Sequence, residues 1–283
     1  MIIWLASYPK SGNTWVRSFI SALYYNIEGK NDFSNLRKIR QFPSKSLFEK
    51  FTENTQDVKE IYRNWINVQD FLNLDKKVKF LKTHQVNCII DNCKFTNDDN
   101  TIGAIHIVRD PRNVVLSLKN HFSLLSYEHA KEFIFRDKHW IGFERTEKDK
   151  FKDNIIPTLI SSWSTHYKTW KNKTKNYLLI KYEDLNKDPL REFLKITKYL
   201  EKITDKKFDN KQIDNAIKTT SFSHMQKLEN DGLFEENAKK ENEIKIKFFN
   251  LGPKTNWKDC LNNEIIENIN TKFYNEMVEL GYL

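Results

Sequence analysis

The sequence predicts an α/β fold of three layers, a central parallel sheet flanked by helices. Three observations carry this. Short apolar runs without alternation, such as Ile2–Ala6 and Ile102–Val108, read as strands buried on both faces. Longer stretches between them carry apolar residues at helical spacing. Several strands pass into helices through short polar turns, as parallel βα units require. Neither a proline- or glycine-rich linker nor an internal repeat interrupts the 283 residues. One domain over 1–283 is therefore expected.

The first unit is the most informative. Ile2–Ala6 is followed by Ser7-Tyr8-Pro9-Lys10-Ser11-Gly12-Asn13-Thr14, a polar turn, and then by Trp15, Phe19, Ile20 and Leu23 at helical spacing. Free N–H groups of such a turn and helix start favour an anion. Lys10 adds a positive charge; Ser11, Asn13 and Thr14 add donors. A Walker A loop is excluded, because G-x-x-x-x-G-K-[ST] needs its lysine after the second glycine.

Residues 26–75 read as helix and loop. Val78–His84 is a short strand ending in Lys82-Thr83-His84. Histidine suits general-base work because its pKa lies near working pH. Thr101–Arg109 is another buried strand, running into Asp110-Pro111-Arg112-Asn113, where Asp110 caps a helix and Pro111 takes its first position. Val114, Leu118, Phe122 and Leu125 form the stripe of that helix. Arg109 offers a planar fork suited to phosphate.

Pro157 is expected to open a helix carrying Leu159, Trp163, Tyr167 and Trp170, leading to a strand at Tyr177. Asp188-Pro189 caps the next helix, with Phe193, Ile196 and Leu200 inward. Ile266, Ile269, Phe273, Met277 and Leu280 mark the last helix. Residues 142–154 and 229–247 are charged and poor in apolar residues, and are expected to be mobile; the second is a candidate lid. His106 and His121 are read as structural.

The ordered motifs resemble those of sulfotransferases that use 3′-phosphoadenosine 5′-phosphosulfate (PAPS). Tyr8–Trp15 is similar to the family's 5′-phosphosulfate loop Y-P-K-S-G-T-T-W, with Asn13 for one threonine. Ile107-Val108-Arg109-Asp110-Pro111-Arg112-Asn113 with Ser117 resembles its 3′-phosphate site, which gives Arg109 and Ser117 that role. Lys82-Thr83-His84 resembles the strand end that carries the base, which implies His84 as the base and Lys82 as the lysine that assists charge on the transferring group; Gln85-Val86 departs from the family's K-T-H-x-P. Tyr182, in Tyr177–Leu185, matches a tyrosine that faces adenine. Thr220-Ser221-Phe222-Ser223-His224-Met225 matches a segment packed around the same ring. Phe248–Lys258 resembles F-M-R-K-G-x-x-G-D-W-K, with Gly252, Trp257 and Lys258 aligned and Asn250-Leu251 replacing Arg-Lys.

The resemblance implies a P-loop-NTPase-like sulfotransferase fold and sulfuryl transfer from PAPS to a hydroxyl or amine. The catalytic set it implies is His84, Lys10 and Lys82. The cofactor set is Lys10, Ser11, Gly12, Asn13, Thr14, Trp15, Arg109, Ser117, Tyr182, Thr220, Phe222, Phe249, Asn250 and Gly252. Metal is not required. The acceptor is a small molecule, lipid or sugar.

The net charge of +9 is spread over scattered lysines with no basic run of six. It fits a lysine-rich surface around a doubly phosphorylated cofactor, and no nucleic-acid partner is expected. The three cysteines, Cys88, Cys93 and Cys260, make neither a disulfide framework nor a zinc set. A membrane-spanning stretch is lacking. With the first strand starting at residue 2, no signal peptide or anchor is expected ahead of it, and a cytoplasmic location follows. Two other classes stay open at this level: a P-loop kinase or NTPase, and a non-catalytic basic protein that binds nucleotide or polyanion. The oligomeric state is open as well.

Overall fold

The computed structural model describes residues 1–232, 238–239, 245–246, 249 and 256–283. They form two compact units. The first comprises Met1–Tyr8, Ile39–Ile107 and Arg136–Leu179; the second comprises Pro9–Lys38, Val108–Phe135 and Ile180–Leu283.

A five-stranded sheet runs in the order Arg40–Gln41, Lys79–Thr83, Ile2–Ser7, Thr101–Val108, Tyr177–Lys181. The Ile2–Ser7 strand pairs in parallel with both neighbours; Ala6 lies beside Thr83 on one side and His106 on the other. Every residue of Ile2–Ser7 is buried, which is why this strand reads as a continuous apolar run rather than an alternating one. The α/β sheet expected from the sequence is thus present, with its first strand at the centre.

In the first unit, Trp4 projects from that strand into an aromatic cluster. Its ring lies 5.4 Å from Phe42, 5.1 Å from Phe95 and 6.1 Å from Trp170, and Trp65 meets Phe95 edge-on. The Trp4 indole N–H donates to Thr101 Oγ1 at 2.8 Å, so the buried indole keeps its hydrogen bond. In the second unit, the helix Asn13–Tyr25 buries nearly its whole length. Phe19 stacks on Phe193 of the helix Pro189–Thr204 with ring centres 4.0 Å apart.

Two details differ from the sequence reading. Pro157 does not open a helix: Thr158–Leu159 pairs antiparallel with Trp140–Ile141, and the helix runs from Trp163 to Trp170 behind Ser162. The Ser162 side chain accepts from the Thr165 N–H, a cap that proline cannot supply. The helix Pro111–His121 ends before its apolar stripe does, leaving Phe122 and Leu125 exposed. Within 142–154, a 3₁₀ turn spans Glu147–Phe151, because Asp149 accepts from the Arg145 and Thr146 N–H groups in a capping box. The candidate lid at 229–247 lies largely outside the described residues. Among the described residues no helix is long and apolar enough to cross a membrane.

Candidate active site

In the second unit, the loop that follows the first strand is built to hold an anion. Lys10 adopts a left-handed backbone conformation, φ 67°, and Gly12 another, φ 99°. Gly12 is the N-cap of Asn13–Tyr25 and contributes no side chain. Its carbonyl accepts from the Trp15 N–H at 3.1 Å, which closes the first turn. The start of that helix presents backbone donors and the positive end of the dipole. Ser11 lies within this loop. Its hydroxyl is wholly buried and has no hydrogen-bond partner among the described residues. A buried hydroxyl of this kind is costly unless something completes it, and a phosphate or sulfate oxygen at the helix start is chemically suited to do so. Asn13 and Thr14 are buried in the first turn.

Arg109 joins this loop to the second motif. One guanidinium nitrogen, Nη1, donates to the Lys10 carbonyl at 3.0 Å and to Ser117 Oγ at 2.9 Å. The guanidinium also lies 4.2 Å from the centre of the Tyr182 ring. Tyr182 in turn packs on Gly12 and meets Trp15 edge-on at 6.1 Å. Lys10, Gly12, Trp15, Arg109, Ser117 and Tyr182 are therefore brought together around one cation. Burial pushes the Tyr182 hydroxyl above its ordinary pKa, the neighbouring guanidinium opposing this, so the phenol stays neutral.

The neighbouring Arg112 does different work. It donates from Nε and Nη2 to the Asp110 carboxylate, from Nη2 to the Tyr282 carbonyl at 2.7 Å and from Nη1 to Asn270 Oδ1 at 3.2 Å. It also lies over Trp257. This arginine is a structural fastener.

Of the weaker candidates, Phe222 and Phe249 meet edge-on at 5.9 Å and pack with Met225 and Leu36. Phe249 is pinned through its N–H to Glu229 and through its carbonyl to Gln226. Thr220 is buried and donates to the Ala216 carbonyl of its own helix. Asn250 and Gly252 lie outside the described residues. The structure adds one residue to the neighbourhood of the loop: Nδ1 of His121, read from the sequence as structural, sits 3.5 Å from the Lys10 ammonium.

In the first unit, Lys82 and His84 stand at and just beyond the end of the strand Lys79–Thr83. His84 Nδ1 lies 2.7 Å from the Ser7 carbonyl. A carbonyl only accepts, so Nδ1 carries the proton and Nε2 is the lone-pair nitrogen of the neutral ring. Thr83 Oγ1 accepts from the Gln85 N–H at 3.0 Å and turns the chain at this point. The Gln85 side chain accepts from the Leu159 N–H at 2.8 Å, and the Val86 N–H returns a bond to the Leu159 carbonyl. That gives the departure at Gln85-Val86 a structural role.

Comparison with known proteins follows the same lines. The sulfotransferase domain model matches residues 2–281 and so spans both units. The luciferin sulfotransferase of Photinus pyralis is 26% identical over 275 residues, covering 93% of this chain and 68% of the relative. The flavonol 3-sulfotransferase of Flaveria bidentis is 26% identical over 279 residues, covering 94% and 78%. Among solved structures, mouse sulfotransferase SULT7A1 complexed with PAP aligns with a TM-score of 0.57 at 19% identity, covering 98% of this chain and 84% of that one. A retinol dehydratase structure aligns with 0.59 at 16% identity, covering 98% and 80%. These two share the fold.

Proposed function

The chain belongs to the sulfotransferase domain family, and we propose that it transfers a sulfuryl group from PAPS to the hydroxyl or amine of a small-molecule acceptor. One observation carries this reading: the single Arg109 nitrogen that bonds both the Lys10 carbonyl and the Ser117 hydroxyl. Two motifs far apart in sequence meet at one cation, as a nucleotide phosphorylated at both its 5′ and 3′ positions requires.

When bound, PAPS supplies an activated sulfuryl group on a phosphate leaving group. Lys10, Ser11, Gly12, Asn13 and Thr14 hold the 5′ side through the helix start, one ammonium and side-chain donors. Arg109 and Ser117 hold the 3′-phosphate and distinguish the cofactor from ATP. Tyr182, Trp15, Thr220, Phe222 and Phe249, with Asn250 and Gly252, are assigned to the nucleoside. His84 takes the acceptor's proton on Nε2 while Nδ1 stays bonded to the Ser7 carbonyl. Lys82 and Lys10 offset negative charge that builds during transfer. The named activities of the two relatives, on luciferin and a flavonol, suggest a hydroxylated aromatic acceptor. One sulfotransferase domain over residues 1–283, a small-molecule acceptor as partner and a cytoplasmic setting complete the proposal.

The test is calorimetric titration with adenosine 3′,5′-bisphosphate (PAP), beside ADP and Mg²⁺-ATP, followed by a PAPS-dependent screen of a flavonol, luciferin and simple phenols. Tight binding of the bisphosphate alone is expected. Binding of Mg²⁺-ATP in its place, or of neither, overturns the reading in favour of a kinase or a polyanion-binding protein.

A further inference from the structure

We propose that the helix Trp163–Trp170 is the device that positions His84, with His166 and Trp170 as its two positioning residues. The proposal rests on the reading of His84 as the base. His166 and Trp170 are four residues apart and therefore lie on one face of the helix, one turn from each other. They grip consecutive residues of the segment that carries the base. The His166 ring hydrogen-bonds the His84 main chain, and the Trp170 indole N–H donates to the Gln85 carbonyl at 2.9 Å. Gln85 is held at its own N–H by Thr83 and at its side chain by Leu159. The backbone at 84–85 is thereby fixed from the strand, from the Leu159 segment and from the helix. With that backbone fixed, the His84 ring keeps Nδ1 on the Ser7 carbonyl, and Nε2 keeps its lone pair.

The gripping residues are themselves well supported. Both are buried, with His166 1% exposed and Trp170 wholly enclosed. The His166 ring meets Tyr8 edge-on at 5.7 Å and lies 5.8 Å from the His106 ring, tilted by 44°. His106 is anchored in turn by a 2.8 Å bond between Nδ1 and the Tyr177 hydroxyl. The Nε2 atoms of His166 and His106 have no hydrogen-bond partner among the described residues. A cation on His166 would therefore be buried without an anion, so the ring acts as a neutral donor to the His84 main chain. A supporting shell of this kind decides whether a reacting group is held to within a fraction of an ångström.

The experiment uses the full chain labelled with ¹⁵N-histidine. Near neutral pH, the wild-type His84 spectrum is expected to show one tautomer, protonated at Nδ1. In Trp170→Phe, which keeps the ring and removes the donor, and in His166→Phe, His84 is expected to become a mixture of tautomers. Alongside this, kcat with PAPS falls about 10- to 100-fold, while PAP affinity stays within about twofold of wild type, a change of no more than about 0.4 kcal/mol. His166→Gln, which restores an amide donor, recovers part of the rate. An unchanged His84 tautomer in both phenylalanine variants overturns the proposal. His84→Ala separates the two readings. Retained turnover in that variant overturns the base assignment, and the tautomer measurement still decides whether the helix positions the ring. If His166→Phe does not fold, Trp170→Phe decides alone.

Discussion

Tyr182 packs so closely on Gly12 that a β-carbon at residue 12 would lie 2.6 Å from Tyr182 Cδ2. The same ring carries the Arg109 guanidinium 4.2 Å from its centre. The phosphate loop and the arginine are thus spaced by one aromatic ring, and glycine is required for two separate reasons: the contact, and φ of 99°. Gly12→Ala is expected to cost about 2–4 kcal/mol, roughly 1 from the backbone and the rest from overpacking. The cost should appear as a lower thermal midpoint that added PAP recovers less than it does in wild type. An unchanged midpoint would mean that the Tyr182 ring gives way freely.

Arg109 bonds Ser117 and the Lys10 carbonyl through one nitrogen while lying over Tyr182. Lysine reproduces the charge but neither the planar fork nor the stacking. Arg109→Lys is expected to weaken PAP at least about tenfold by calorimetry, the loss of one or two charge-assisted bonds. Ser117→Ala should weaken it less. In both variants the preference for PAP over ADP should narrow. Equal losses for PAP and ADP would remove the 3′-phosphate from Arg109.

Arg112 stands three residues on and behaves differently. It forms a buried ion pair with Asp110 and is bonded to Tyr282 and Asn270 besides. Removing it leaves the Asp110 carboxylate buried without its counter-charge. Arg112→Ala is expected to cost about 3–5 kcal/mol in urea unfolding, with PAP affinity little changed at temperatures where the variant is folded. A loss of PAP affinity without a loss of stability would move Arg112 into the binding site.

The contrast between these two arginines shows what the sequence conveys. The strand, the loop and the capped helix at 101–121 were legible because each rests on local chemistry: apolar continuity, Asp110 as cap, Pro111 in the first turn. The loop from Lys10 to Trp15 was legible for the same reason. Which arginine meets the loop and which fastens the chain terminus was not local, and was assigned by resemblance alone. Beyond the local ion pair with Asp110, the partners of Arg112 come from residues 257–282. His166 and Trp170 illustrate the opposite failure. Trp170 read as one more core residue of an apolar stripe, and it is buried, but its indole N–H reaches the Gln85 carbonyl. No periodicity records which backbone group a buried donor meets. His121 reads as structural for a similar reason, since only the fold brings it to Lys10. Pro157 and Ser162 both carry a local helix-start signal, and only the Ser162 side chain caps the Trp163–Trp170 helix.

The buried histidines make the protein sensitive to acid. Burial holds the His166 pKa down to about 3 and places that of His106 well below its ordinary 6.5, with the neighbouring His166 lowering it further. In the unfolded chain both titrate near 6.5. Between that value and about 3, the unfolded state binds more protons than the folded one, so stability rises with pH across the window. The contribution is fully present above about pH 6.5 and is lost progressively on acidification, at up to about 1.4 kcal/mol per pH unit for each histidine. Glu183 acts in the opposite sense, because burial raises its pKa in the fold. The slope of the wild type therefore mixes both effects, and the comparison with His166→Phe isolates the histidine. The urea midpoint of the wild type is expected to fall between about pH 7 and about pH 5, and that of His166→Phe to fall less. Parallel slopes for the two proteins would mean that His166 takes up its proton in the fold, and that the neutral donor assigned to the His84 main chain is wrong.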